Sequence, residues 1–303
     1  MKPDISTNIA GIAFKNPVLV ASGTFGYGDE ISDLVDVSRI GGIITKTITL
    51  EARQGNPPPR IAEVTGGILN AIGLQNIGVE RFIQEKLPVL KNIKTALIVS
   101  IAGETESEYI EVAAKLNACG QTCISAIELN LSCPNLRKRV ICADKELVAS
   151  IIQGVKKVIS IPVIAKLSPN VEDIAETARL AKEAGADALT VANTFTGMAI
   201  DLKTWKPKLA NITGGMSGPA IKPLALRCVW EVCRKVNIPV IACGGIMTAD
   251  DAVEFMLAGA RAVTVGTANF TDPEVPVKIA DGISKYLKER KLNSLSDVIG
   301  MMK

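Results

Sequence analysis

Between residues 128 and 135 the chain reads Glu128-Leu129-Asn130-Leu131-Ser132-Cys133-Pro134-Asn135, a thiol set between two amide side chains directly after the apolar run AIEL. A thiol so placed is a candidate nucleophile or proton acceptor, and in either role it usually has a histidine to take its proton or hold it as thiolate. This sequence has no histidine. Two lysines, Lys46 and Lys166, follow the apolar runs IIT and VIA, where a buried ammonium is rare without a partner. Two glycine turns, ACGGI at 242–246 and VGTA at 265–268, offer free backbone N–H groups of the kind that cradle a phosphate. A lone GG reads better as a tight strand-to-helix connection; two such turns on adjacent strands favour phosphate binding.

Such groups do chemistry only if the fold brings them together. Short runs rich in Val, Ile, Leu and Ala recur at Val18–Ala21, Ile43–Lys46, Leu97–Ile101, Ala126–Asn130, Val163–Leu167, Ala188–Ala192, Val240–Cys243 and Ala262–Gly266. Near-continuous apolar runs are expected of parallel strands buried on both faces. Helix-like segments with three- and four-residue apolar spacing lie between most of them: SEYIEVAAKLNA, KELVASIIQGVKKVI, VEDIAETARLAKEAG, KPLALRCVWEVCRKV and ADDAVEFMLAGA. Strand then helix, about eight times, predicts an α/β fold of the (β/α)8 TIM-barrel type, with residues 1–303 as one domain. A doubly wound open sheet shares the alternation, but chain length and the lack of a linker-like stretch favour the barrel. Two Gly-, Pro- and Asn-rich segments, Thr47–Thr95 and Thr194–Pro219, read as elaborated loops on the C-terminal face, and ISTNIAGIAF reads as an N-terminal hairpin.

In a TIM barrel the active site forms at the C-terminal ends of the strands. Here those ends are Ser22-Gly23, Lys46-Thr47, Ser100, Asn130, Lys166, Asn193-Thr194, Gly244-Gly245 and Gly266-Thr267, every one polar or glycine. One polar strand end is usually the start of a solvated loop; the set argues for a site. The amides and hydroxyls suit a planar heterocycle with amide-like edges, and a lysine stabilises an anionic ring or a carboxylate. A phosphate cradle, two lysines and no acidic metal cluster point to flavin mononucleotide with a small planar anion stacked on it.

Composition narrows the classes further. Hydrophobic residues make up 48% and charged residues 21%, ordinary for a globular chain. A net charge of +3 and 4% aromatic residues give neither the basic footprint nor the stacking platform of a nucleic-acid binder. The opening residues do not read as a signal peptide, and no apolar stretch is long enough to span a bilayer, so no membrane partner is expected. The cysteines at 119, 123, 133, 142, 228, 233 and 243 lack the paired spacing of zinc or cluster sites and suit a reduced, cytoplasmic chain. For Cys119, Cys228 and Cys233 small apolar filler is the plain reading.

The ordered motifs ASGTFGYG (21–28), ITKTIT (44–49), GNPPPR (55–60), NAIGLQN (70–76), NLSCPN (130–135), AKLSPN (165–170), ANT (192–194), GGMSGPAIKP (214–223), CGGI (243–246) and VGTA (265–268) resemble those of the class 1 dihydroorotate dehydrogenases over essentially the whole length. NAIGLQN, the segment at 197–227 and SIAG resemble the NAD-linked class 1B catalytic subunit rather than the fumarate-using class 1A. The resemblance implies FMN in this chain and a partner subunit carrying FAD and a 2Fe-2S cluster, around a homodimer core in a heterotetramer. It implies flavin contacts from Ser22, Lys46, Thr47, Ser100, Asn130, Lys166, Val191, Gly218, Gly244, Gly245, Gly266 and Thr267. Dihydroorotate or orotate would meet Lys46, Asn70, Ile72, Gly73, Leu74, Asn130, Asn135, Asn193 and Thr194. Two departures stand out: many relatives carry Asn where this chain has Ser100, and LRKRVICAD lacks the glycines often seen in that loop.

The resemblance also gives Cys133 a role that needs no histidine. Oxidising dihydroorotate sends a hydride to flavin N5 and a proton to a base on the opposite ring face, and Cys133 would be that base. From another enzyme class, Lys46 also suits the Schiff-base lysine of a barrel aldolase. A noncatalytic metabolite-binding barrel is a third reading.

Overall fold

Strands that are apolar on both faces need helices outside them and a filled lumen inside. The computed structural model, which describes residues 3–31, 33–120, 123–132, 141 and 144–303, provides both. The hairpin β1 (Thr7–Ile9) and β2 (Ile12–Phe14) precedes the barrel strands β3 (Val18–Val20) and β4 (Gly42–Ile44). After β5 (Ile61–Val64) and β6 (Gly67–Asn70) come the barrel strands β7 (Ala96–Ile101), β8 (Ile124–Asn130), β9 (Val163–Lys166) and β10 (Ala188–Val191). Then β11 (Phe195–Met198), β12 (Ile200–Asp201), β13 (Lys206–Pro207) and β14 (Thr213–Ser217) form an excursion before β15 (Val240–Cys243) and β16 (Ala262–Val265). The barrel is closed in the order β10-β15-β16-β3-β4-β7-β8-β9, all neighbours parallel, so the predicted barrel is found and the open sheet is not.

Helices cover the outside: α1 (Val79–Arg81) and α2 (Leu87–Leu90), joined by a π turn at Phe82–Lys86, then α3 (Glu106–Ala118), α4 (Lys145–Val158), α5 (Ile174–Glu183), α6 (Lys222–Lys235), α7 (Ala249–Leu257) and α8 (Val275–Glu289). The starts of α3, α4, α5 and α7 are fixed by Thr105, Asp144, Asp173 and Thr248, whose side chains accept from first-turn N–H groups. The first crossover departs from the expected repeat. Between β3 and β4 the described residues hold only a 3-10 turn, Val37–Arg39, because the preceding loop uses Gly26 at φ +56° and Gly28 at φ +112°, conformations no right-handed helix accommodates.

Inside the barrel, Leu19, Ile44, Ile98, Ala126, Ile164, Ala188, Ile241 and Ala262 pack as one buried layer, and Ile9 and Phe14 of the hairpin close it from below. The N-terminal hairpin is thus a plug for the N-terminal end of the lumen. At the other end the two excursions, expected as separate loops, pair with each other in one antiparallel sheet of order β11-β14-β6-β5. Because Phe14 is 1% exposed and seals the lumen, Phe14→Ala should cost about 3–5 kcal/mol in a chemical-denaturation experiment, by lost burial and the cavity left behind. An unchanged midpoint would show that the plug carries no stability.

Candidate active site

Side chains alternate across a strand, so the residues two positions beyond the apolar lumen layer also face inward. They are Ala21, Lys46, Ser100, Glu128, Lys166, Thr190, Cys243 and Thr264. The lumen therefore changes from hydrocarbon to polar groups within one layer. Above this layer, under the sheet formed by the two excursions, lies a cavity of about 460 Å³.

The cavity gathers most of the residues expected of it. Ser22, Lys46, Thr47, Asn130, Lys166, Gly218, Gly244, Gly245, Gly266 and Thr267 line it, together with Asn70, Ile72, Leu74, Asn193 and Thr194. Three expected residues do not reach its wall. Ser100 is 0% exposed and stands behind Thr47, its Oγ 2.9 Å from Thr47 Oγ1. Val191, also 0% exposed, is packed into the surrounding core. Gly73 turns at φ +72° against Asn56, where an added Cβ would lie 2.6 Å from the Asn56 backbone N. Cys133 and Asn135 lie outside the described residues.

Hydrogen bonds tie the polar wall into one web. Ser22 Oγ donates to the Thr45 carbonyl at 2.8 Å and lies 3.1 Å from Thr47 Oγ1. Asn130 Nδ2 donates to Thr47 Oγ1 at 3.4 Å, and Asn193 Nδ2 donates to Asn130 Oδ1 at 3.3 Å. Asn130 is also held from behind, since Tyr109 Oη donates to its carbonyl at 2.7 Å. Amides and hydroxyls from four crossovers thus face the cavity with fixed orientation.

The two lysines differ. Burial pulls the Lys46 amine below the ordinary lysine value, with Glu30 opposing and the Arg60 charge adding to the effect. At Lys166 burial is again the largest influence and acts downward, but the Glu128 carboxylate and then the Cys243 thiol outweigh it, so the amine sits above its ordinary value. Lys166 Nζ lies 3.9 Å from Glu128 Oε1.

The glycine turns have the shape of a cradle. Gly244 at φ +127° and Gly245 at φ +76° bring the backbone so near the start of α6 that a Cβ on Gly245 would lie 2.5 Å from the Lys222 backbone N. Only glycine fits there. The roof is fixed by pairing of Asn70 with Gly215, and Asn70 Nδ2 donates to the Gly215 carbonyl at 3.2 Å. Arg60 braces the neighbouring loop: its Nη1 donates to Gln75 Oε1 at 2.6 Å, its Nη2 to the Gln54 carbonyl at 3.0 Å and its Nε to the Asn56 carbonyl.

Sequence reasoning gave no role to several wall residues, among them Gln75, Cys243, Thr264 and Phe270, nor to Glu128 beneath the wall. Glu128 had a readable signal, a carboxylate in an apolar strand at the parity that puts Asn130 in the site. Phe270 had none, because a 3-10 turn after β16 carries it to the cavity.

The family model described as dihydroorotate dehydrogenase matches residues 4–287. The dihydroorotate dehydrogenase B (NAD(+)) catalytic subunit of Endomicrobium trichonymphae is 55% identical over 300 residues, 99% of this chain and 97% of that protein. The subunit of the same name from Geobacter sulfurreducens is 51% identical over 303 residues, covering 99% of each chain. In fold, the crystal structure of DHODH from Eimeria tenella in complex with ferulenol superposes with a TM-score of 0.83, covering 98% of this chain and 88% of that one at 24% identity. A family match across most of the chain and half-identical relatives along its whole length leave one conclusion: the chain belongs to the dihydroorotate dehydrogenase family, among the class 1B catalytic subunits.

Proposed function

We propose that this chain oxidises (S)-dihydroorotate to orotate in de novo pyrimidine synthesis, using FMN held at the mouth of the barrel and passing electrons through a partner subunit to NAD. The observation that carries the reading is the convergence, in one cavity, of a glycine cradle, two lysines and an amide-hydroxyl web, in a chain half identical throughout to NAD-linked catalytic subunits. The residues fit a flavin mononucleotide: a cradle that a Cβ would fill suits a phosphate, and Lys166 with Asn130 suits the polar edge of a planar ring. When bound, the flavin supplies the hydride acceptor.

The chain's own groups do the rest. Gly244, Gly245, Gly266 and Thr267 would hold the phosphate by backbone N–H groups, with Gly218 at the roof. Ser22, Thr47 and Asn130 would fix the ring edge, and Ser100 and Val191 would act from behind the wall. Lys46, Asn70, Ile72, Leu74, Asn193 and Thr194 would orient the substrate anion, with Gly73 shaping their loop and Asn135 close by. Cys133 Sγ would take the proton from the substrate carbon, a role we carry from the sequence motif. A positioned base is worth about 10²–10⁴ in rate. The names of the relatives support a partner subunit; FAD and a 2Fe-2S cluster in it, a homodimer core within a heterotetramer, and a cytoplasmic setting complete the proposal. Among the described residues no helix is long and apolar enough to cross a membrane.

Purified protein should be yellow and release FMN on denaturation. Gly245→Ala should weaken flavin binding about ten- to a hundredfold, since forcing a Cβ at positive φ costs roughly 1–3 kcal/mol. Colourless protein that flavin cannot reconstitute, or a borohydride-trapped keto adduct at Lys46, would favour the aldolase instead.

Stopped-flow mixing with dihydroorotate should show Cys133→Ala keeping its flavin while reduction slows by about 10²–10⁴. The parent rate should rise toward alkaline pH, because a lone thiol titrates near ~8.5. Reduction of the alanine variant at the parent rate would remove Cys133 from the mechanism.

Steady-state assays separate the electron acceptors. The chain alone should transfer electrons to NAD poorly, and adding an FAD and iron–sulfur subunit should restore transfer. Rapid fumarate reduction by the chain alone would instead place its chemistry with class 1A.

A further inference from the structure

Glu128 is 0% exposed, in a strand whose other residues are apolar except Ser125 and the terminal Asn130, and no step of the proposed reaction uses it. Strand parity puts it in the same polar lumen layer as Lys166, on the adjacent strand β9, with Thr190 of β10 beyond. Thr190 Oγ1 donates to Glu128 Oε2 at 2.8 Å, which fixes the carboxylate in place. Among the described residues the other oxygen, Oε1, has no hydrogen-bond donor, and it faces Lys166 Nζ at 3.9 Å. Lys166 is itself 6% exposed and lines the cavity floor. A buried carboxylate with one oxygen anchored and the other left to a single ammonium is a fixed counter-ion.

We propose that Glu128 is a positioning residue that keeps Lys166 charged in the cavity floor, making that lysine an electrostatic anchor for the anionic edge of a planar ligand and not a nucleophilic amine. Naming that ligand as a flavin rests on the function proposed above; the pairing itself does not. Burial alone drives a lysine toward its neutral form, which is how barrel lysines become Schiff-base nucleophiles. The groups facing Lys166 decide which outcome holds. Glu128 comes from β8 and the Cys243 thiol from β15; Thr190 of β10 carries no charge, and Lys46 lines the same cavity from the β4 end. The upward direction of Lys166 and the downward direction of Lys46 match this difference, since among the described residues Lys46 makes no ion pair.

The test is reductive methylation of the full-length chain, freed of bound flavin, across the lysine titration range. Each neutral amine adds to formaldehyde, loses water to give an imine, gains a proton from solvent to become an iminium, and takes a hydride from cyanoborohydride to become a methylamine. Peptide mass spectrometry then gives a pH midpoint for Lys166, with surface lysines as internal references. In the parent the Lys166 midpoint should lie above those references. Glu128→Gln keeps the Thr190 hydrogen bond but removes the charge, and should lower the midpoint by at least about one pH unit, roughly tenfold more neutral amine at a given pH. Glu128→Asp withdraws the carboxylate by one methylene and should shift the midpoint in the same direction by less; it serves if the glutamine variant does not fold. An unchanged midpoint in the folded variant overturns the proposal, and so does faster labelling at every pH with no shift, which would mean only a loosened barrel. A colourless parent that still shows the shift would sink the flavin reading and leave the counter-ion standing.

Discussion

Filling the lumen of a closed parallel barrel is the constraint on which the rest of this structure depends. Pairing of β16 with β3 leaves no sheet edge, so every inward side chain must be packed by other inward side chains or by something bound. At the N-terminal end Leu19, Ile44, Ile98, Ile164 and Ile241 fill the space and Phe14 seals it. One layer higher the same strands present Lys46, Ser100, Glu128, Lys166, Thr190 and Cys243. Those groups could not be desolvated against hydrocarbon without partners, so the chain supplies partners for some and leaves others facing a cavity.

That division sets the electrostatics of the site. Thr47 sits at the centre of the web, within hydrogen-bonding reach of Ser22, Ser100 and Asn130, so loss of its hydroxyl would disturb three neighbours together. Lys166 is balanced by a buried carboxylate, while Lys46 is half-buried and among the described residues makes no ion pair. The cavity therefore favours ligands that bring their own negative charge. A phosphate at the glycine turns and a planar anion beside Lys46 satisfy that requirement without any histidine.

The roof follows from the same logic. Two excursions of very different length leave the barrel after β4 and β10, and neither alone could satisfy its backbone groups over an open cavity. They satisfy each other: Asn70 pairs with Gly215 and Ile68 with Ser217. Thr194 Oγ1 would lie 2.1 Å from a Cβ on Gly215, which explains why the roof strand carries glycines where it crosses the site. Arg60 then holds the Gln54–Asn56 and Gln75 backbone and side-chain groups in one arrangement.

The sequence by itself determined the barrel, because parallel strands buried on both faces leave an apolar run that is legible one strand at a time. Each barrel strand lies within two residues of its predicted run. It also determined which strand ends face the cavity, since position relative to a strand's C-terminus is a local property, and Ser22, Lys46, Asn130, Lys166, Asn193 and Gly245 all line it. What only the tertiary structure decided are the relations between distant segments. The pairing of β6 with β14 joins residues some hundred and forty-five positions apart, Asn70 to Gly215, and no periodicity within either excursion encodes it. Ser100 and Val191 sit at readable strand ends yet stop short of the wall, because their side chains are taken up by neighbours whose positions the linear chain does not give. The partnership of Glu128 with Lys166 belongs to the same class: each charge is visible in its own strand, but the 3.9 Å between them comes from the register of two strands in a closed barrel, where geometry and not sequence distance sets who faces whom.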